Sequence, residues 1–191
     1  MTIYKFNRYD CIIMLNNEEI TVESDLIYSG KIVELRKDTV VLPDGTMSTR
    51  ELVSHAPAVV ILPLLNEKEI ILVSQYRKVF EKTLLEIPAG LINENEDPLD
   101  AAKRELREET GYRAMSWTSL GEYYPTPGFC NEVYHVYIAR NLIPGSQDLD
   151  DDERVAVKIL SVDKLRDLIK NNSIKDAKTV LAFYLGLNNF I

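Results

Sequence analysis

The chain has 191 residues, 46% of them apolar, so it can form one sizeable domain, with or without a small appendage, around a hydrophobic core. A net charge of −8 and the lack of any Lys/Arg run exclude a nucleic-acid-binding protein that works through a broad basic surface. The N-terminus lacks the layout of a signal peptide and the longest early apolar run, residues 11–15, is too short to span a bilayer, so we expect a cytoplasmic protein with no membrane partner.

The N-terminal part of the chain predicts a small antiparallel β-sheet. Between about residues 20 and 53, short β-rich segments alternate with turn residues. The triplet Pro43-Asp44-Gly45 predicts a tight turn, because proline fixes φ and glycine takes the left-handed position. A further strand is predicted around residues 11–15. We therefore expect an N-terminal β-sheet region over residues 1–52, suited to dimerisation, and a second domain over residues 53–191.

The second domain reads as a mixed sheet flanked by helices, an α/β or α+β sandwich. The apolar runs APAVVILPLL and EIILVSQYR lie on either side of the polar stretch NEKE, a pattern typical of a hairpin buried on both faces. Later segments predict three strands and two helices: strands around residues 117–124, 132–140 and 154–160, and helices around residues 161–172 and 176–190.

Between these strand groups lies a strongly acidic segment that predicts a helix. Asp97 followed by Pro98 provides a helix N-cap and first residue, and Gly111 provides a left-handed stop, so the helix should run from about Pro98 to Thr110. At 100° per residue, Glu105 and Glu109 lie together at the edge of its apolar stripe, with Glu108 close by. Taken alone, such charges favour an ordinary solvated helix face.

The spacing around these acids resembles the Nudix box, GX5EX7REUXEEXGU, where U is a bulky aliphatic residue. Gly90 and Glu96 match its first two fixed positions, and residues 104–111 match the remainder. The one departure is Tyr112 at the final aliphatic position, which is a packing site. The strand order extends the resemblance over most of residues 53–191. It implies a Nudix α/β/α sandwich with a mixed sheet, preceded by the small N-terminal antiparallel sheet.

This resemblance implies a metal-dependent hydrolase. Crowded carboxylates tolerate one another when a hard divalent cation neutralises them, and oxygen ligands suit Mg²⁺, with Mn²⁺ as a possible substitute. By similarity, Glu105 and Glu109 are metal ligands, Glu108 is a further ligand or a catalytic, water-orienting group, and the carbonyl of Ala89 completes the shell. The implied reaction is hydrolysis of a nucleoside diphosphate linked to another group.

The substrate prediction depends on a downstream proline. Pro127, sixteen residues after Gly111, resembles the proline that marks the ADP-ribose pyrophosphatase subgroup. The subgroup implies a homodimer that hydrolyses ADP-ribose to AMP and ribose 5-phosphate. Three alternatives stay open: a pyrophosphatase for another sugar nucleotide such as GDP-mannose, one for a dinucleotide cofactor such as FAD or NADH, and a non-catalytic module that senses ADP-ribose.

The same resemblance implies residues that bind the substrate. Arg50 and Glu51 would contact the nucleotide end, Arg77 would hold a phosphate, and Glu86 would act in the substrate pocket. In some members the adenine stacks on an aromatic residue that directly follows a glycine in a turn. This chain has a lysine at that position, so Tyr28, on the other side of the same turn, is the candidate substitute.

A general base is implied on the acidic loop after the sheet. The best matches are Glu153 and Asp151, which spacing alone does not separate. A carboxylate beside a metal-bound water can act as a base without a large pKa shift of its own. Four consecutive acidic residues are equally typical of a solvated loop, and that alternative stays open for each of them.

Overall fold

The computed structural model describes residues 18–149 and 153–190, which form two compact units with the division between Val53 and Ser54. The strand predicted around residues 11–15 lies outside the described residues. The N-terminal unit contains an antiparallel pair, β1 (Ile20–Ser29) and β2 (Val33–Val41), followed by β3 (Met47–His55), in the sheet order β1-β2-β3.

The turn between β2 and β3 has the predicted form. Gly45 has φ of 84°, and its N–H donates to the carbonyl of Leu42 at 2.9 Å. The Asp44 carboxylate accepts the N–H of Thr46 at 2.9 Å, which closes the turn from the other side. The prediction of a tight turn at Pro43-Asp44-Gly45 is confirmed.

The second unit is built on two sheets. One has the order β7-β4-β9-β8 and contains the parallel pair β4 and β9, and the other has the order β10-β5-β6. The strands are β4 (Ala58–Pro63), β5 (Glu69–Arg77), β6 (Lys82–Glu86), β7 (Ala89–Leu91), β8 (Arg113–Tyr123), β9 (Tyr134–Ile143) and β10 (Val155–Ser161), and the helices are α1 (Pro98–Thr110), α2 (Val162–Lys170) and α3 (Ala177–Phe190).

Strand β4 lies at the centre of the core, because all six of its residues are buried. Val60 and Leu62 pack in a cluster with residues of α2 and α3 such as Phe183. Val59 and Ile61 belong to a second cluster with residues of α1. Successive side chains of a strand point to opposite faces, so helices cover both sides of this sheet. This is the predicted α/β/α sandwich with a mixed sheet, preceded by a small antiparallel sheet.

The predicted hairpin of β4 and β5 is wrong. The two strands lie in different sheets, and a single isolated bridge between Leu64 and Ile70 joins their ends. β4 pairs with β7 and β9 instead, while β5 pairs with β6 and β10. A continuous apolar run indicates burial on both faces, but it does not identify the pairing partner.

Capping residues start the two C-terminal helices. The Ser161 hydroxyl accepts the N–H of Lys164 at 3.1 Å before α2, and the Asp176 carboxylate accepts the N–H of Thr179 at 3.0 Å before α3. Within residues 18–149 and 153–190, no helix is long and apolar enough to cross a membrane.

Candidate active site

Helix α1 holds the acidic residues in place through its caps and its buried face. The Asp97 carboxylate accepts the N–H of Leu99 at 2.8 Å, and Gly111, at φ 76°, donates its N–H to the carbonyl of Arg107 at 2.8 Å. Ala102 and Leu106 are fully buried against the sheet. The helix predicted from Pro98 to Thr110 is confirmed.

Two carboxylates of α1 lie against the short strand β7. Glu109 is only 3% exposed, and its Oε2 accepts the N–H of Ala89 at 3.1 Å. The Glu105 side chain, 13% exposed, lies over Gly90 so closely that a Cβ at Gly90 would overlap its carboxylate. The glycine therefore leaves space that the Glu105 carboxylate fills.

Burial disfavours the ionised forms of Glu105 and Glu109. Burial, with contributions from the Glu105 and Glu153 charges, raises the pKa of Glu109 to about 8. Burial also raises the pKa of Glu105, although the bond from Arg104 opposes the change. A divalent cation would neutralise both groups, and carboxylates are the oxygen ligands that Mg²⁺ and Mn²⁺ prefer, so the chemistry of this donor set fits such an ion.

Arg104 joins the helix to the loop before it. Its Nε and Nη2 donate to the two oxygens of Glu96 at 2.8 and 2.9 Å, and Arg104 holds the pKa of Glu96 at about 2. Its Nη1 also donates to Glu105 at 2.6 Å and to Glu108 at 3.1 Å. Across the part of the chain that the structure describes, no three His, Cys, Asp or Glu side chains are arranged to hold a metal ion as they stand.

Glu108 lies on the more accessible side of the helix. Its side chain is 23% exposed and accepts bonds from both Arg104 and Arg107, each at 3.1 Å. Whether it binds metal or orients water stays a prediction.

Arg77 and Glu86 form a buried ion pair in the same unit. Nε and Nη2 of Arg77 donate to the two Glu86 oxygens at 2.8 and 2.7 Å, and Glu86 is 1% exposed. Glu86 raises the pKa of Arg77, and the charge of Glu109 acts in the same direction, so Arg77 lies within electrostatic reach of α1. Both residues line a cleft of about 780 Å³ together with Tyr76 and Phe80. Glu86 therefore anchors Arg77 within this cleft.

The first turn of α3 completes this ion pair, which the sequence did not reveal. Lys178 Nζ bonds Glu86 and donates to Asp176 at 2.8 Å. Thr179 Oγ1 accepts the N–H of Ile87, directly after β6, at 2.9 Å. The Asp-x-x-Thr start of α3 indicates a helix cap, but no local pattern connects it to a strand more than ninety residues earlier.

Three predicted site residues lie in the N-terminal unit. Tyr28 is 57% exposed on β1, with its ring over Gly30. Arg50 pairs with Glu19 and donates to the carbonyl of the preceding residue at 2.9 Å, and Glu51 is exposed. Their contacts with substrate stay predictions.

The remaining predicted residues lie in loops of the second unit. Pro127 is exposed in a turn after β8, where the carbonyl of Thr126 accepts the N–H of Cys130 at 3.0 Å. Glu153, before β10, raises the pKa of both Glu105 and Glu109, so it lies within electrostatic reach of the two carboxylates. Asp151 lies outside the described residues.

Comparisons with known proteins cover both units. A family model described as the NUDIX domain matches residues 54–183, and one described as the nucleoside diphosphate sugar hydrolase N-terminal domain matches residues 19–53. The chain is 41% identical over 177 residues to the ADP-ribose pyrophosphatase of Bacillus subtilis (strain 168), covering 91% of this chain and 96% of that protein. It is 43% identical over 173 residues to the methanol dehydrogenase activator of Bacillus methanolicus, covering 89% and 94%. A crystal structure of an ADP compounds hydrolase shares the fold with a TM-score of 0.80, covering 90% of this chain and 93% of that one at 23% identity.

Proposed function

This chain belongs to the Nudix hydrolase family, and on that premise we propose that it hydrolyses ADP-ribose to AMP and ribose 5-phosphate. The observation that carries the reaction class is the pair of carboxylates packed against β7: Glu105, 13% exposed, lies over Gly90, and Glu109, 3% exposed, accepts the N–H of Ala89. Similarity to a pyrophosphatase named for ADP-ribose favours this substrate over GDP-mannose, FAD or NADH. Intact box acids favour a hydrolase over a module that only senses the ligand.

The site divides the chemical work among few residues. Glu105 and Glu109, joined by Glu108 and the Ala89 carbonyl, would hold Mg²⁺, with Mn²⁺ as a substitute. When bound, the cation supplies charge neutralisation on the diphosphate and a more acidic water. The Arg77 guanidinium, whose Nη1 group is not used by Glu86, is placed to bind a phosphate oxygen.

Glu153 is the general base in this proposal, because its charge already acts on both buried carboxylates. Its carboxylate would accept the proton of the attacking water. We expect Glu153→Gln to lower kcat about 10²- to 10⁴-fold with little change in KM, measured by steady-state hydrolysis of ADP-ribose. Asp151→Asn is the matched control. A large loss in Asp151→Asn with normal kcat in Glu153→Gln would assign the base to Asp151.

Cation binding is expected to release a proton near neutral pH. The Glu109 pKa of about 8 lies above the ordinary value of 4.5. At a pH between these two values, the metal-free folded protein therefore keeps a proton on Glu109 that the unfolded chain has lost. The contribution of Glu109 to the free energy of unfolding is fully present below pH 4.5 and is lost as the pH rises through about 8. Calorimetric titration with Mg²⁺ at pH 7 in buffers of different ionisation enthalpy should show about one proton released, and almost none at pH 9. Equal release at both pH values would contradict the assignment.

The substrate is tested most directly by ³¹P NMR. Purified protein with Mg²⁺ is incubated separately with ADP-ribose, GDP-mannose, FAD and NADH. We expect rapid conversion of ADP-ribose to two phosphomonoesters and slow turnover of the other three. Faster turnover of another compound would retain the reaction class and refute the substrate. No turnover of any of the four would refute the proposed activity.

A homodimer in the cytoplasm is part of the proposal. Strand β1 is at an edge of its sheet, and every one of its residues is exposed, including Ile20, Leu26 and Ile27 at 57% or more. An apolar edge strand of this kind favours burial against a second copy. Sedimentation equilibrium at micromolar concentration should give twice the 21.8 kDa chain mass. A monomer under these conditions would exclude the dimer.

A further inference from the structure

Two acidic groups and two basic groups meet where the first turn of α3 packs against β6. Lys178 is 12% exposed and bonds both Glu86 and Asp176. Lys178 is therefore the buried cation shared by these two carboxylates, while Arg77 is the cation at the open side of the cleft.

The bonding pattern gives the two cations different tasks. Arg77 uses Nε and Nη2 for Glu86 and is 38% exposed, so its remaining N–H groups are accessible for an anion. Glu86 is 1% exposed, and without Lys178 its whole charge would act on Arg77. Asp176, which also lines the cleft, would lose its ion pair and add negative charge there. A diphosphate would meet a weaker cation and stronger repulsion there.

We propose that Lys178 is a positioning residue that neutralises Glu86 and so keeps the charge of Arg77 available for the anionic diphosphate of the substrate. The inference rests on the proposed function, because it assigns Arg77 to the substrate. Lys178 touches no reacting atom in this proposal. Its loss should therefore weaken substrate binding more than it slows the chemical step.

Kinetics of Lys178→Met test this split. We expect KM for ADP-ribose to rise about tenfold, with kcat changed less than about threefold and a steeper dependence of KM on salt. Lys178→Arg, which keeps the charge, should recover most of the loss. Lys170→Met is the matched control: Lys170 is exposed at the end of α2 and does not line the cleft, so KM should stay within about twofold. A normal KM in Lys178→Met, or a loss confined to kcat, would overturn the proposal.

A double substitution keeps the inference testable if Lys178→Met folds poorly. Glu86→Gln removes the charge that Lys178 neutralises, so the double variant Glu86→Gln/Lys178→Met should fold. Its KM should be closer to the wild-type value than the KM of Lys178→Met. If Lys178→Met does not fold, Lys178→Met/Asp176→Asn takes its place in the comparison. A KM that stays about tenfold raised in the double variant would show that Lys178 acts independently of Glu86, and would refute the proposal.

Binding of inorganic pyrophosphate with Mg²⁺, measured by calorimetry, separates this inference from the proposed function. Weaker binding by Lys178→Met and normal binding by Lys170→Met would support the role of Lys178 even if the wild-type protein failed to hydrolyse ADP-ribose. Hydrolysis of ADP-ribose by the wild-type protein, with equal pyrophosphate binding by Lys178→Met and wild type, would support the function and overturn the inference.

Discussion

Gly90→Ala is expected to lower kcat/KM for ADP-ribose at least about 100-fold, equivalent to about 2.7 kcal/mol of transition-state stabilisation, while the protein still folds. The added methyl group would overlap the Glu105 carboxylate. Because this carboxylate ends a flexible side chain, it can move aside at low cost in folding free energy. Its displaced oxygens would no longer be held beside Glu109, and the affinity for Mg²⁺ should fall with the activity.

Gly128→Ala is the matched control for this change, because a Cβ at Gly128 meets no atom within 4 Å. Thermal melting should show both variants within a few degrees of wild type, while only Gly90→Ala loses Mg²⁺ binding in calorimetry. Wild-type turnover by Gly90→Ala would show that the position of the Glu105 carboxylate does not matter for catalysis.

Glu109→Gln is expected to cause a larger loss, about 10³-fold or more in kcat, because it replaces the buried carboxylate of a proposed metal ligand with a neutral amide. The fold should be retained, since the amide oxygen can still accept the N–H of Ala89 that Glu109 now binds. Without Mg²⁺, the variant should be more stable than wild type at pH 9. There the wild-type protein must ionise a carboxyl whose pKa burial raises to about 8.

Steady-state hydrolysis and Mg²⁺ titration measure the loss, and chemical denaturation at pH 6 and pH 9 measures the stability. Glu94→Gln, an exposed residue of the same acidic segment, should behave as wild type in all three measurements. Retention of Mg²⁺ binding and turnover by Glu109→Gln would remove Glu109 from the metal site.

The sequence by itself determined the acidic helix α1 and the family. The bounds of α1 follow from Asp97, Pro98 and Gly111, whose preferences act within a few bonds of their own backbone. The helical repeat then places Glu105 and Glu109 on one edge wherever the helix lies. The fold class followed from the strand order together with the Nudix resemblance. These features depend on residues that are close together in the chain, so the sequence alone can predict them.

The tertiary structure alone decided how the elements meet. Burial on both faces of β4 and β5 is visible in their composition, but their separation into two sheets depends on free-energy differences between whole arrangements of strands. The approach of Gly90 to Glu105 and the bond between Lys178 and Glu86 likewise join distant segments. Such contacts form because packing brings the segments together. The local sequence around Lys178 therefore does not predict that it will bond Glu86.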